Sequence, residues 1–256
     1  MNRRQMYQDF AADRGSLALD GFALDALPWV TRYTPLRPDL EGTLVFTRLP
    51  SDREDELIQA QIDYFAQRGC DFEWKLYEFD EPADLKRRLA ARGFQEDDTE
   101  AFMLCAVEPE RSAPRMRSGL RIERITDRSG VRDLVRVQEL IWEQPFRWLG
   151  DILGETLEQR PQQLSLYCAY DDGRAVGTGW TTFLPGSAYA ELHGGAVLAR
   201  YRGRGIYADL FRIRLAEIRR RGYRWAAVDA SAMSRPILAR LGFQHVCMTV
   251  PMRKLW

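Results

Sequence analysis

Apolar residues in the second half of the chain follow two periods, that of a strand and that of a helix. Alternating or continuous apolar runs predict strands over residues 120–125, 164–170, 176–183, 190–198 and 225–229. Apolar positions at helical spacing predict helices over residues 131–142, 144–159 and 205–222. The turn Asp171-Asp172-Gly173 is typical of a β-hairpin. We therefore predict an α+β half in which antiparallel strands precede the final helices.

The first half has a similar order of elements. Residues 42–46 and 72–76 read as strands, residues 54–68 read as a helix that ends at Gly69, and residues 99–107 read as a last strand. Short helices end at Gly93-Phe94 and again at Gly242-Phe243. The order strand, helix, Gly, strand, short helix, Gly-Phe, strand thus occurs twice, which predicts an internal repeat.

Residues 108–118 interrupt both patterns, because they are charged, contain two prolines and lack apolar periodicity. We expect a first domain over residues 1–112, a linker over 113–118 and a second domain over 119–256.

Composition excludes several classes of protein. The 256 residues are 45% hydrophobic and 29% charged, as in a protein with a sizeable core, and no apolar run approaches the roughly 18 residues of a membrane span. The 37 basic and 37 acidic residues cancel, so net charge predicts neither a nucleic-acid nor a membrane partner. The N-terminal residues carry charges where a signal peptide would be apolar. The four cysteines are widely spaced, as reduced thiols are, so we expect a cytoplasmic protein. We also expect it to be bacterial.

The most informative segment is VLARYRGRGIYADL, residues 197–210. A strand runs into a loop with three arginines and two glycines, and a helix follows directly. Glycines let the backbone approach a ligand, and the free N–H groups of a first helical turn attract anions. The segment therefore predicts a phosphate-binding loop. The alternative is a glycine-eased turn with solvated arginines.

A dinucleotide-binding fold is a further alternative for this loop. Gly203-x-Gly205-x-x-Ala208 satisfies the fingerprint, and Asp229 ends the next strand where a ribose-binding acid belongs. The architecture argues against it, because only about 50 residues follow the loop and antiparallel strands precede it.

Arg200, Gly203 and Gly205 match the acetyl-CoA signature of the GNAT superfamily of N-acetyltransferases, which the chain resembles over about residues 118–256 and more weakly over 42–107. The resemblance implies a GNAT-like acyl-CoA N-acyltransferase fold, with a mixed, mostly antiparallel sheet flanked by helices. It also implies tandem lobes, of which the first is truncated. The implied function is acetyl transfer from acetyl-CoA, without a metal, to an amine of a small molecule or peptide that attacks the thioester directly.

The resemblance also implies which residues hold acetyl-CoA. Backbone N–H groups near Val197 or Leu198 would polarise the thioester carbonyl. The implied binding residues are Val197, Leu198, Ala199, Arg200, Arg202, Gly203, Arg204, Gly205, Ile206, Tyr207, Ser231 and Ser234.

Two positions depart from the family pattern. Ser231 stands where many members have Asn, and Leu238 stands where many have the Tyr that protonates the leaving thiolate. Ser234 is a weak substitute acid, but a thiolate can leave unprotonated because the pKa of a thiol is only about 8.5. Since Leu238 cannot donate a proton, a non-catalytic acyl-CoA sensor or interaction module is the alternative function.

Candidate bases lie on the strand before the loop. Glu191 and His193 are two residues apart and so share a face of that strand, although a surface carboxylate with a hydrogen-bonded histidine is the plainer interpretation. Asp229 is a third candidate or a strand-end cap. Trp142, Trp148 and Trp180 either wall an acceptor pocket or belong to the core.

The segment of the first half that corresponds to the loop, residues 47–53, has no glycine but has Pro50 and Asp52, so we expect no CoA there. Glu73, Lys75 and Tyr77 share a strand face and are either a pairing set or part of an acceptor cleft. The neighbouring acids would recruit a cationic amine or form a solvated face. Nine arginines over residues 200–224 make a nucleic-acid patch conceivable, but interspersed acids and the phosphates of CoA argue against it.

Overall fold

A computed structural model describes residues 1–19, 21–107 and 119–256. These residues form two compact units. The first unit consists of Met1–Met103, Asp229–Pro236 and Gln244–Trp256, and the second of Leu104–Val228 and Ile237–Phe243.

The second unit is built on a five-stranded sheet with the order β11-β10-β9-β8-β7. Strands β7 to β10 pair antiparallel, whereas β10 and β11 pair parallel and are connected through α6. Its elements are β7 (Arg121–Ile125), α4 (Arg128–Trp142), α5 (Arg147–Gln159), β8 (Leu164–Asp171), β9 (Arg174–Phe183), β10 (Tyr189–Val197), a 3₁₀ turn (Ala199–Tyr201), α6 (Ile206–Arg220) and β11 (Trp225–Ala230). The last two residues of β11 belong to the first unit, as does the start of α7 (Arg235–Arg240).

Two helices cover opposite faces of this sheet. Gln138 of α4 contacts Thr178 of β9, while Arg214 of α6 contacts the adjacent Gly179. Neighbouring strand residues point to opposite faces, so α4 and α6 lie on opposite sides of β9. Buried apolar side chains fill both layers, such as Leu134 and Leu166 on the α4 side and Leu210 on the α6 side.

The predicted helix over residues 144–159 begins only at Arg147. Glu143, just after α4, has a φ of 54°, and Pro145, two residues later, supplies no N–H donor. The backbone N–H of Phe146 donates to the Glu139 carboxylate at 3.0 Å, which fixes the turn between the two helices.

The first unit is also a sheet with helices, in the strand order β1-β2-β3-β4-β12-β6, with β5 paired to β12. Its core contains Leu44, Ile58, Phe65 and Trp74, all nearly inaccessible. Its elements are α1 (Arg3–Arg14), β1 (Phe22–Leu27), β2 (Val30–Pro35), β3 (Gly42–Val45), α2 (Glu54–Ala66), β4 (Phe72–Tyr77), α3 (Leu85–Ala90), β5 (Gln95–Glu96), β6 (Glu100–Ala106, divided between the units) and β12 (Gln244–Lys254).

The predicted domains over 1–112 and 119–256 stay a prediction. The two compact units are discontinuous in sequence, because the end of the chain belongs to the first unit. The physical reason is strand pairing: β12 runs antiparallel to β4, from Thr249 opposite Tyr77 to Lys254 opposite Phe72. The predicted linker, residues 113–118, lies outside the described residues.

Both units contain the same β–α–β arrangement. Strands β3 and β4 pair parallel around α2, as β10 and β11 do around α6. All four cysteines are free thiols. None of the helices in the described ranges combines the length and apolarity that a membrane span requires.

Candidate functional site

The loop between β10 and α6, residues 198–205, is shaped by its glycines; we call it the Arg-Gly loop. Gly203 and Gly205 have φ angles of 77° and 82°, a left-handed conformation that favours glycine. A β-carbon on Gly203 would meet no atom within 4 Å, so the backbone there is open to close approach. The loop therefore presents accessible backbone directly before a helix.

The helix N-terminus after this loop suits an anion. Gly205 is the N-cap of α6 and provides no side-chain cap, so the N-terminal N–H groups lack the usual side-chain acceptor. Arg200 and Arg204 both lie over the Tyr201 ring, at 5.0 and 5.3 Å from its centroid, and no described carboxylate pairs with either. Helix dipole and unpaired guanidinium groups together favour a phosphate.

Strand β10 contains a bulge just before the loop. His193 is paired with Trp180 and Ala196 with Thr178, so Gly194 and Gly195 together face the single residue Gly179. Gly194 has a φ of 54°, and a β-carbon there would lie 1.6 Å from Cζ3 of Trp180. Only glycine fits this position.

Side chains from α4 and α6 donate hydrogen bonds to the backbone carbonyls of the bulge. Gln138 of α4, only 4% exposed, donates from Nε2 to the Gly194 carbonyl at 2.9 Å and to Thr178 Oγ1 at 2.7 Å. Arg214 of α6 donates from Nη1 to the His193 carbonyl at 3.1 Å. The bulge is thereby held from its two faces.

The two predicted thioester-polarising N–H groups differ in the structure. The Leu198 N–H donates to the Val176 carbonyl of β9 at 2.9 Å and is therefore engaged. In an antiparallel ladder this bond makes Val197 and Gly177 a non-hydrogen-bonded pair, so the Val197 N–H points away from β9. Parallel pairing with β11 covers only Tyr189–Glu191 of β10. Val197 is thus the better placed of the two groups.

Glu191 and His193 lie on one face of β10, as their spacing predicts. Nε2 of His193 lies 3.8 Å from Oε2 of Glu191 and 3.1 Å from the hydroxyl of Thr182. The imidazole stacks on Trp180 with 6.2 Å between ring centroids. The side chains of His193 and Glu191 remain 39% and 22% exposed. A carboxylate, an imidazole and an indole therefore share one partly open surface, on the same face as Gln138.

The serines carried over from the family lie in the first unit. Ser231 Oγ accepts from the Ser234 N–H at 3.3 Å, and the Ser234 hydroxyl donates to the Ser231 carbonyl at 3.2 Å, both within an exposed turn before α7. Leu238 is fully buried. In this structure the serines form a hydrogen-bonded turn before a short helix, and Leu238 is a core residue.

Asp229 also belongs to the first unit, where its Oδ2 accepts from Nζ of Lys75. Burial alone would lower the pKa of Lys75, but Asp229 and Glu73 outweigh it and raise that pKa above its ordinary value. Oδ1 of Asp229 is buried without a hydrogen-bond partner. Asp229 is therefore an ion-pair partner rather than a simple strand-end cap.

The segment of the first unit that corresponds to the Arg-Gly loop lies before α2, whose first turn carries Glu54, Asp55 and Glu56. These carboxylates complement the helix dipole and would repel a phosphate.

Within the described ranges, no group of three or more His, Cys, Asp or Glu is arranged to hold a metal ion.

The three tryptophans considered for an acceptor pocket, Trp142, Trp148 and Trp180, differ in burial. Trp180 packs against the core on the α4 side, whereas Trp142 and Trp148 are 59% and 49% exposed. Trp142 is nevertheless tied to the bulge, because its indole N–H donates to Oε1 of Gln138 at 3.2 Å. The exposed pair marks the α4–α5 turn.

Sequence reasoning missed the residues that hold the bulge, Gln138 and Arg214. Both lie on amphipathic helices, where a polar residue is normally assigned to the solvent face. The Gly194-Gly195 pair inside a strand was the available sign, since strand glycines often mark bulges or close backbone approach.

Comparison with known proteins agrees with this geometry. Residues 134–243 match the model of the Acetyltransferase (GNAT) family. No curated protein sequence matches the chain significantly.

Several solved structures share the fold across nearly the whole chain. A GCN5-related N-acetyltransferase from Kribbella flavida is 13% identical, with 98% of this chain and 93% of that chain covered and a TM-score of 0.65. One from Sphaerobacter thermophilus is 18% identical, with 88% and 76% covered and a TM-score of 0.59. A tandem GNAT protein from the clavulanic acid biosynthesis pathway is 14% identical, with 96% and 86% covered and a TM-score of 0.61. The fold is thus that of these acetyltransferases, and the match to the GNAT acetyltransferase family covers residues 134–243 of the chain.

Proposed function

We propose that the protein is an acetyl-CoA-dependent N-acetyltransferase that transfers the acetyl group to an amine by direct attack on the thioester. The observation that carries this proposal is the Arg-Gly loop, in which the open backbone of Gly203 precedes a helix without a side-chain cap. The Arg200, Gly203 and Gly205 spacing of the family signature supports it.

The diphosphate of CoA fits the chemistry of this loop. Backbone N–H groups of residues 203–207 supply donors, and the helix dipole adds a partial positive charge. Arg200 and Arg204 have no described carboxylate partner that would compete for them. Arg202 donates from Nε to the Val197 carbonyl at 3.2 Å, so it fixes the end of β10 and the loop to each other.

The Val197 N–H polarises the thioester carbonyl. It points away from β9, and the pairing of β10 with β11 ends at Glu191. A preorganised N–H donor stabilises the negative charge that develops on the carbonyl oxygen when the amine attacks. Gln138 donates to the Gly194 carbonyl and Arg214 donates to the His193 carbonyl, which keeps this strand segment rigid.

Glu191 and His193 accept a proton from the ammonium group of the acceptor, which frees the lone pair of the amine for attack on the thioester. The two groups lie within 3.8 Å of each other and are partly exposed, so a proton accepted by one can pass to the other or to water. CoA leaves as the thiolate, because the buried Leu238 supplies no proton and the thiolate is a tolerable leaving group at neutral pH.

The test is release of free CoA thiol from acetyl-CoA across a panel of amines, from polyamines and amino sugars to peptides with free N-termini. Turnover that requires an amine, with the acetylated product identified by mass, is the expected result. Glu191→Gln and His193→Ala should each lower turnover about a hundredfold at neutral pH. Glu123→Gln, a strand carboxylate elsewhere in the second unit, is the matched control and should leave turnover unchanged.

A non-catalytic acyl-CoA sensor is the second candidate, and Leu238 is the observation that favours it. The same panel distinguishes the two functions. Tight acetyl-CoA binding without thiol release for any amine would favour the sensor, whereas turnover with one acceptor would exclude it. Unchanged turnover in both base variants would remove Glu191 and His193 from the mechanism while leaving the transferase intact.

A further inference from the structure

Arg214 occupies the middle of the buried face of α6 and has no exposed surface. Its Nε donates to the Leu210 carbonyl of its own helix at 2.9 Å. Its Nη1 donates to the carbonyls of Trp180 and His193, each at 3.1 Å. The guanidinium also lies 4.2 Å from the centroid of the Phe211 ring. Arg214 thus connects the helix after the Arg-Gly loop to both strands of the bulge.

No described carboxylate compensates this charge. The two acids of α6 pair elsewhere, Asp209 with Arg212 at 2.7 Å and Glu217 with Arg221 at 2.7 Å. Burial lowers the pKa of the Arg214 guanidinium to about 10, so the group stays protonated at neutral pH. A buried positive charge without a counterion is costly, and neutral side chains of similar volume would avoid that cost.

The backbone around the guanidinium is adapted to it. A β-carbon on Gly179 would lie 2.7 Å from Cζ of Arg214, and one on Gly195 would lie 3.4 Å from Nη2. Nη2 is buried and has no hydrogen-bond partner. The positive charge therefore lies directly against Gly195 of the bulge, and glycine at position 179 leaves it room.

The position of this charge along β10 gives it a role. Val197 is two residues beyond Gly195, about 7 Å along a strand, and its N–H points away from β9. Charge that develops near this N–H lies within range of a guanidinium in a medium of low dielectric constant.

Building on the proposed function, we propose that Arg214 is a positioning residue of the acyl-transfer site. It holds the bulge of β10 so that the Val197 N–H faces the thioester carbonyl, and its uncompensated charge makes that segment more favourable for the oxyanion. Structural support alone does not require a charge, whereas this role does.

The test compares Arg214→Met, which removes the charge, with Arg214→Lys, which keeps it, and with Arg220→Met, an exposed arginine of the same helix, as a matched control. The readouts are the dissociation constant of acetyl-CoA, the melting temperature, and the infrared C=O band of acetyl-CoA labelled with ¹³C at the carbonyl. The band reports carbonyl polarisation without any acceptor. A second readout is the slow release of CoA thiol in water.

In the wild type the band should shift to lower frequency on binding. In Arg214→Met the shift should fall by at least half and the rate of thiol release should fall about tenfold. Its affinity for acetyl-CoA should stay within about threefold of the wild type. Arg214→Lys should retain most of the shift, and Arg220→Met all of it. An unchanged band in folded Arg214→Met would overturn the proposal, as would equal losses in the Met and Lys variants.

If Arg214→Met does not fold, Gly179→Ala replaces it, because its methyl group would displace the guanidinium while keeping the charge in the chain. A wild-type band shift that persists in Gly179→Ala would then overturn the proposal. Failure of the wild type to bind acetyl-CoA would refute the proposed function itself, and this inference with it. Binding with a band shift that is independent of Arg214 would refute only the inference.

Discussion

The ring of Trp180 covers Gly194 so closely that a β-carbon on Gly194 would lie 1.6 Å from Cζ3. Gly194 also has a φ of 54°, so both its conformation and its surroundings require glycine. This contact fixes the bulge of β10 beside His193, whose imidazole stacks on the same indole. Gly194 and the candidate base His193 therefore pack against the same side chain, Trp180.

Gly194→Ala should consequently destabilise the second unit by at least about 3 kcal/mol and abolish acetyl-CoA binding, because the methyl group would force Trp180 and the bulge apart. Gly173→Ala is the matched control: Gly173 has a φ of 76° but nothing within 4 Å of its would-be β-carbon. It should cost only about 1 kcal/mol, the price of the left-handed conformation alone. Chemical denaturation of both variants measures the difference, and equal costs would contradict the contact argument.

The partly buried pair of Lys75 and Asp229 should be sensitive to the loss of either member. Lys75→Met would leave Asp229 beside Glu73 and Glu100 without its ion-pair partner, and should lower the free energy of unfolding by about 1 to 3 kcal/mol. Lys75→Met combined with Asp229→Leu should regain most of this. Lys86→Met breaks the exposed pair with Glu96 and should cost less than about 1 kcal/mol. A double variant no more stable than Lys75→Met would refute the coupling.

Glu100 should make the stability of the first unit depend on pH. Burial, and then the charge of Asp229, raise the pKa of its carboxyl to about 7. Between its ordinary pKa and pH 7 the folded state binds the proton that the unfolded chain releases, so stability falls as pH rises through this window. Lys75, Glu73 and Asp97 also act on this carboxyl.

The expected loss is about 1 to 3 kcal/mol between pH 4.5 and 8, and Glu100→Gln should remove it. Asp98→Asn, an exposed acid nearby, should leave the slope unchanged. Urea denaturation at a series of pH values gives the comparison. A slope that survives in Glu100→Gln would mean that another group titrates.

Local patterns were sufficient to predict much of this protein. The strand, helix and glycine order of each β–α–β segment, the hairpin at Gly173 and the loop before α6 depend on neighbouring residues, and the structure contains all of them. The fold inferred from the resemblance at Arg200, Gly203 and Gly205 is confirmed, and the resemblance to the acetyltransferase family is confirmed over residues 134–243. The acceptor and the catalytic residues stay predictions.

Long-range pairing was beyond the sequence. Strand β12 joins β4 across more than half the chain, so residues after 244 belong to the first unit, and no local pattern encodes that partner. Elements α1, β1 and β2 were not predicted. Of the nine arginines over residues 200–224, Arg214 is buried, and Arg212 and Arg221 pair with acids of α6. A count of charges does not distinguish such buried or paired arginines from a cluster of solvated ones.

The most direct test of the account is a thermal-unfolding titration with acetyl-CoA, with NAD as the control ligand, on the wild type, Gly203→Glu and Gly222→Glu. Both glycines have left-handed φ angles and open surroundings, and they lie at opposite ends of α6. At 100 times the dissociation constant, acetyl-CoA should stabilise the wild type and Gly222→Glu by about 2.7 kcal/mol. Gly203→Glu should lose this response, because its carboxylate would occupy and repel the phosphate position. Stabilisation by NAD instead, or an unchanged acetyl-CoA response in Gly203→Glu, would contradict the assignment of the loop.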